Sequence, residues 1–186
     1  MGLKSDKWII KQAYAGMIEP FAATQERRNV ISYGVSSYGY DMRVADEWTY
    51  YTSSSTVIDP KSRQLSSVTE SVKSDEYVIG AGDFVLCRSV EYFRIPRNVT
   101  ALVLGKSTYA RCGLHCLVTP LEPAWEGHVT IELANLTQSP IRIYANEGIA
   151  QVLFYSGKDC LTSYKDKRGK YQGQVGVTLP FTEQQR

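Results

Sequence analysis

Two segments of the chain bring together side chains able to act on a small, multiply charged anion. In the first, the apolar run ending at Leu104 passes into Gly105-Lys106-Ser107-Thr108-Tyr109-Ala110-Arg111. A glycine lets backbone come close to a ligand, amides at the start of a helix point outward, and Lys106 with the two hydroxyls adds charge and donors. The spacing is not that of a Walker A loop, which needs a glycine five residues before Gly105, where Thr100 stands. A capped helix following a strand has the same pattern. If Ser107 opens a helical turn, Arg111 projects from the same face and sets a guanidinium beside a hydroxyl, a pair that orients a water and a polar substrate atom.

The second segment runs from Thr119 to Leu133. Alternation in a strand from Val129 puts Val129, Ile131 and Leu133 on one face and Thr130 and Glu132 on the other. Among apolar neighbours Glu132 would hold its proton tightly and serve as a shuttle, although an exposed strand glutamate reads identically. The zinc-dependent route to base deamination needs His-x-Glu and Pro-Cys-x-x-Cys elements, and the chain contains neither. Cys112, His115, Cys116 and His128 form only a loose group with three residues between the cysteines, which reads as packing rather than a zinc site.

These residues have to be carried by something, and the pattern around them is mostly β. Ser5 is placed to cap a short helix bearing Trp8, Ile9, Gln12 and Ala13, with Gly16 as its stop. Short β-rich runs follow at 31–33, 48–51, 76–79, 84–87, 101–104, 129–133 and 151–155, which predicts a sandwich or barrel. Thr52 to Asp75, with serines at 53–55 and 66–67, reads as a long surface excursion. From Lys165 the chain is polar and broken by Gly169, Gly173 and Gly176, which suits a mobile cationic lid and equally a frayed end.

At 186 residues the chain can bury about 70% of its unfolded surface in one core. Lys and Arg total 21 against 19 for Asp and Glu, too even a balance to hold a nucleic-acid polymer chiefly by charge. No apolar run approaches the length of a membrane span. The start, Met1 to Lys7, lacks the apolar stretch of a secretory signal and has Asp6 where a myristoylation signal needs Ser or Thr, so a cytoplasmic location is expected. The four cysteines, 87, 112, 116 and 160, are too few for a disulfide scaffold.

Several long blocks, in order, resemble the dCTP deaminase family. They are Ile31 to Asp41, Glu91 to Arg97, Gly105 to Gly113, Val118 to Pro123, Trp125 to Thr130, Ile143 to Gly148 and Gly169 to Gln174. The resemblance implies a mainly β fold, a distorted β-barrel or jelly roll of the dUTPase-like type, with a short N-terminal helix and few others. It implies one domain over 1–186 in which 165–186 is a mobile segment closing over the nucleotide, and a homotrimer with sites between subunits.

Roles follow from the same resemblance. Glu132 is the base and acid that activates water for attack on C4 of cytosine, with no zinc. Ser107 and Arg111 position the water and the reacting base. Lys106, Ser107, Thr108, Tyr109, Ala110 and Arg111 line the nucleotide site, with Thr119 near the base and Thr130, Ile131 and Glu132 beside base and deoxyribose. Gln151, Tyr164, Lys170 and Gln174 meet the triphosphate and the closing tail. Mg2+ would arrive on the triphosphate, and dTTP is implied as an inhibitor. The same fold also supports a dUTPase, a bifunctional deaminase and dUTPase, or a nucleotide-binding regulatory protein without turnover. One departure stands out: Leu117 occupies a position where the family usually has Asn or His, which opens the possibility of altered selectivity at C5 of the base, with 5-methyl-dCTP the first candidate.

Overall fold

The computed structural model describes residues 2–52, 57–61 and 65–181. In chain order the elements are β1 (Gly2–Leu3), α1 (Asp6–Tyr14), β2 (Ile18–Glu19), β3 (Gly34–Ser36), β4 (Gly39–Tyr51), a 3-10 turn (Leu65–Val68), β5 (Thr69–Lys73), β6 (Glu76–Ile79), β7 (Phe84–Arg94) and β8 (Val99–Gly105). They continue with α2 (Ser107–Ala110), β9 (Leu114–Leu117), β10 (Glu126–Asn135), β11 (Ile141–Tyr144) and β12 (Gly148–Ser156). The α1 helix begins where the Ser5 carbonyl accepts the amides of Trp8 and Ile9, and it ends at Gly16, whose φ of +96° few other residues adopt. Ile9 and Ala13 turn its buried face to the core.

The main sheet runs β1-β12-β4-β7-β10-β9, with β8 added on β12, β3 and β5 on β4, and β2 on β7; β6 and β11 form a separate ribbon. Its bend comes from β4. Tyr40 to Arg43 pair with β12, then the register shifts and Val44 to Tyr50 pair with β7, so one strand serves two halves of a curled sheet. Inside the curl Tyr40, Trp48, Phe93 and Phe154 are fully buried. On β10, Gly127, Val129, Ile131, Leu133 and Asn135 face this core while the intervening residues are half-buried on the opposite face.

Two expectations need correction. Residues 31–33 are not a strand, because their backbone is engaged elsewhere: Ile31 N donates to Glu147 Oε2 at 2.7 Å and Ile31 O accepts from Gly148 N at 2.9 Å. The strand begins at Gly34. The excursion after Thr52 contains β5, whose register Thr69↔Tyr51 to Lys73↔Glu47 extends the sheet. Its sequence, Thr-Glu-Ser-Val-Lys, is polar because the strand is mostly exposed, and a polar edge strand gives little hydrophobic signal. The serines at 53–55 and the tail beyond 181 lie outside the described residues.

Candidate active site

Glu132 stands on β10 directly opposite Leu86 of β7 on one side and Leu117 of β9 on the other. Residues paired across strands point to the same face about 5 Å apart, so the carboxyl is flanked by two leucines. Leu86 is 5% exposed and Leu117 50%. The Glu132 side chain enters a cavity of about 340 Å³ whose walls include Phe84, Leu86, Val118, Leu121, Trp125 and Val129. Burial in this apolar setting pushes its pKa up to about 7. A carboxyl so placed takes and returns a proton near neutrality, which is the behaviour a shuttle requires.

The roof of the cavity is the chain's own C-terminal segment. Gln174 joins β10 through a backbone bridge to Gly127, His128 N donates to Gln174 O at 3.0 Å, and Gln174 Nε2 donates to His128 O at 2.6 Å. Thr130 Oγ1 accepts from both Gln174 Nε2 and Thr178 N at 3.3 Å. The approach needs a glycine at 127: its φ is +152°, and a Cβ there would lie 3.1 Å from Gln174 O. Tyr164 OH accepts Tyr171 N at 3.1 Å, and Trp125 Nε1 donates to Tyr171 O at 2.9 Å. Lys170 Nζ donates to Phe181 O at 3.1 Å and lies over the Tyr171 ring.

Of the expected site residues, Thr119, Thr130, Glu132, Tyr164 and Gln174 meet at one cavity. The rest of the expected set does not join them within this chain. Ser107, Thr108, Ala110 and Arg111 are exposed, and Arg111 Nη1 donates to the main-chain carbonyl of Ser107, one turn back, at 3.1 Å. Tyr109 is buried, its hydroxyl accepting Tyr144 N, and Ile131 points into the core, so each offers a ligand only its backbone. The expected free charge of Lys106 is engaged: its Nζ lies 2.6 Å from Asp41 Oδ2, and Gln151 donates to the other oxygen of Asp41 at 3.2 Å. Gly105 is exposed, and its side-chain direction is taken up by β9, where a Cβ would sit 3.1 Å from Cys116 Cβ.

A family model described as dCTP deaminase-like matches residues 3–157. The chain belongs to the dCTP deaminase-like family. The dCTP deaminase of Herpetosiphon aurantiacus is 57% identical over 183 residues, covering 97% of this chain and 99% of that one. That of Pseudomonas putida is 58% identical over 189 residues, covering 98% and 100%. The crystal structure of 2'-deoxycytidine 5'-triphosphate deaminase from Agrobacterium tumefaciens aligns with a TM-score of 0.65 over 87% of this chain and 50% of that chain, at 16% identity, a likeness of fold. The expected mainly β, distorted-barrel architecture with few helices is the one observed.

In this dCTP deaminase-like chain the cavity also contains residues that sequence reasoning passed over: Tyr51, Phe84, Leu86, Glu122, Tyr171 and Thr178 among them. Glu122 and Tyr171 sit inside the blocks that carry the family resemblance and were findable there. Leu86 and Phe84 depend on the register between β7 and β10, which no local pattern reveals. Among the described residues no group of three or more His, Cys, Asp or Glu is arranged to hold a metal. Cys112 is exposed on its turn, His115 and Cys116 are neighbours on β9 and so point oppositely, and His128 packs edge-on to Tyr92.

Proposed function

We propose that the chain catalyses hydrolytic deamination of dCTP, taken as its magnesium complex, to dUTP and ammonia. The observation that carries this reading is Glu132, held between two leucines in a roofed, largely apolar cavity with a proton affinity near neutrality. Its carboxylate takes a proton from water as the oxygen adds to C4, and passes that proton to N3. It then takes the proton of the new hydroxyl and delivers it to the amino group; the C4–N bond breaks, ammonia leaves and C4 becomes a carbonyl. Glu132 ends as it began. In this reading the carboxylate, not zinc, activates the water, so a zinc chelator that spares magnesium leaves the rate unchanged.

Ser107 and Arg111 enter from a neighbouring copy. Support comes from their exposure, from their absence among the residues walling the Glu132 cavity, and from apolar side chains left open on the adjoining strands, Leu102, Leu104 and Leu117. A homotrimer of the dUTPase-like type closes three such sites. Residues from 165 onward act as the lid, opening for the triphosphate and presenting Lys170 and Gln174 to it, within one functional unit spanning 1–186. Free thiols at all four cysteines accord with a reducing, cytoplasmic setting, where dUTP feeds thymidine nucleotide synthesis and dTTP acts as inhibitor.

Leu117 gives a finer reading of the substrate. The strand register pairs Glu132 with Leu86, a wall of the cavity, and with Leu117, half exposed beside it, so in this reading the C5 edge of the base lies toward an apolar side chain. A methyl group at C5 is accommodated there, and 5-methyl-dCTP is a substrate. Incubation with a panel of cytosine nucleotides and magnesium, with products separated by chromatography, tests the whole proposal. dUTP with ammonia supports it; dUMP with pyrophosphate from dUTP indicates a dUTPase, dUMP with ammonia from dCTP a bifunctional enzyme, and binding without products a regulatory protein.

A further inference from the structure

One buried polar centre that the mechanism leaves unused is Asp41. Its side chain is 4% exposed, and it accepts hydrogen bonds from three directions: Lys106 Nζ at 2.6 Å, Gln25 Nε2 at 2.9 Å and Gln151 Nε2 at 3.2 Å. Gln151 Nε2 also reaches Ser36 Oγ at 3.2 Å, and Lys106 N donates to Ile149 O at 3.0 Å. One carboxylate therefore ties together the 20–33 loop, β3, β4, β12 and the entrance to α2. A buried ion pair of this kind adds little net stability over apolar residues of equal volume, so its principal effect is on geometry. It fixes where Lys106 lies, and with it the turn that carries Ser107 and Arg111.

We propose that Asp41 is the positioning residue of the phosphate half-site, holding Lys106 and Gln151 in the arrangement that meets the triphosphate, with Gln25 as a further brace. The inference rests on the reading above that the 106–111 turn and Gln151 contact the nucleotide. It also sets two physical effects against each other. Replacing Asp41 by Asn removes a negative charge beside Lys106, and on charge alone the site would bind a polyanion more tightly. If Asp41 positions, the same change weakens binding, because a correctly aimed charge-assisted hydrogen bond is lost.

The experiment measures kcat and KM for dCTP, and binding of dCTP with magnesium by calorimetry, on the parent, Asp41→Asn and Gln25→Ala. The expected result for Asp41→Asn is a rise in KM and Kd of about tenfold with kcat at saturation within about threefold, the mark of lost ground-state binding. The rise is expected to shrink for dCMP, which lacks the outer phosphates. Gln25→Ala, in a half-exposed loop position, is expected to raise both constants about threefold with an unchanged unfolding temperature. A KM that stays level or falls in Asp41→Asn overturns the proposal, as does a loss confined to kcat and unfolding temperature. If Asp41→Asn does not fold, Gln25→Ala decides, and unchanged constants there overturn it. A parent that binds dCTP without deaminating it refutes the proposed function instead, and the Kd values still decide the role of Asp41.

Discussion

Replacing Glu132 by Gln is expected to abolish deamination and, at alkaline pH, to make the protein more stable. Burial holds the carboxyl at about 7 against an ordinary 4.5. That separation corresponds to about 3 kcal/mol of preference for the neutral form. Solvent reaches part of the side chain, which brings the figure to about 1–2 kcal/mol. Because the folded-state value is raised, the stability linked to this proton is fully present below pH 4.5 and is lost as pH rises through 7. Above pH 7 the native protein carries an ionised carboxylate between Leu86 and Leu117. Glutamine has the same shape and never ionises, so it escapes that cost.

The assay is thermal unfolding of parent and Glu132→Gln at one protein concentration, from pH 5 to pH 8.5. At pH 5 the two should unfold together. At pH 8.5 the variant should unfold about 3–6 °C higher, given about 2–4 °C per kcal/mol for a chain of this size. The parent's kcat/KM should fall about tenfold per pH unit below about pH 7, where the base becomes protonated. A gap in unfolding temperature that does not change with pH, or one that favours the parent at pH 8.5, would refute the reasoning about burial. A near-parental rate in the variant would refute the role of Glu132.

Inactive Arg111→Ala and inactive Glu132→Gln proteins should regain about a quarter of parental activity when refolded together in equal amounts, since each mixed trimer contains one site of its three with both residues intact; no recovery in verified mixed trimers, or activity in a verified monomer, would count against sites shared between chains. Leu117→Asn should cut kcat/KM for 5-methyl-dCTP relative to dCTP by about fivefold, through loss of about 1 kcal/mol of apolar contact; an unchanged ratio, or strong rejection of the methylated nucleotide by the parent, removes Leu117 from the selectivity argument. The His128 ring packs edge-on to Tyr92 and its pKa is held below the ordinary value by burial and by Arg88, so the stability linked to its neutral form is present above pH 6.5 and lost as pH falls. The unfolding temperature should accordingly be lower at pH 5, relative to pH 7.5, by more in the parent than in His128→Phe.

Local patterns carried the site up to the point where strands must find partners. Period-two alternation put Glu132 opposite the core-facing Ile131 and Leu133, and the structure agrees because β10 has a buried face and a half-buried one. The helix at Asp6–Tyr14 was legible from Ser5 and Gly16 for the same reason: its signals lie within a few residues of each other. By contrast, the leucines that raise the pKa of Glu132 come from β7 and β9, and that pairing is a property of register. Lys106 looked like a free cation because Asp41 is 65 residues away in sequence. The glycines at 169, 173 and 176 announced a flexible segment, but its seat on Gly127, His128 and Thr130 is a tertiary fact.

Glu132 and the 106–111 turn pose one problem that a neighbouring copy solves twice. In a single chain Leu117, one of the two residues shielding Glu132, is half exposed, while Ser107 and Arg111 are exposed to solvent. A neighbour seated over β8 and β9 in the proposed trimer covers Leu117, which further desolvates the carboxyl, and in the same step delivers the hydroxyl and guanidinium that orient the water. Proton affinity and substrate alignment then arise from one contact rather than two. The chain accordingly needs no buried cation near Glu132 to make the site function, and such a cation would in fact lower the proton affinity that the mechanism uses. In the proposed arrangement Arg111, which in the single chain donates to its own turn, arrives through the interface on the substrate side of the carboxyl, where its charge would stabilise the reacting base.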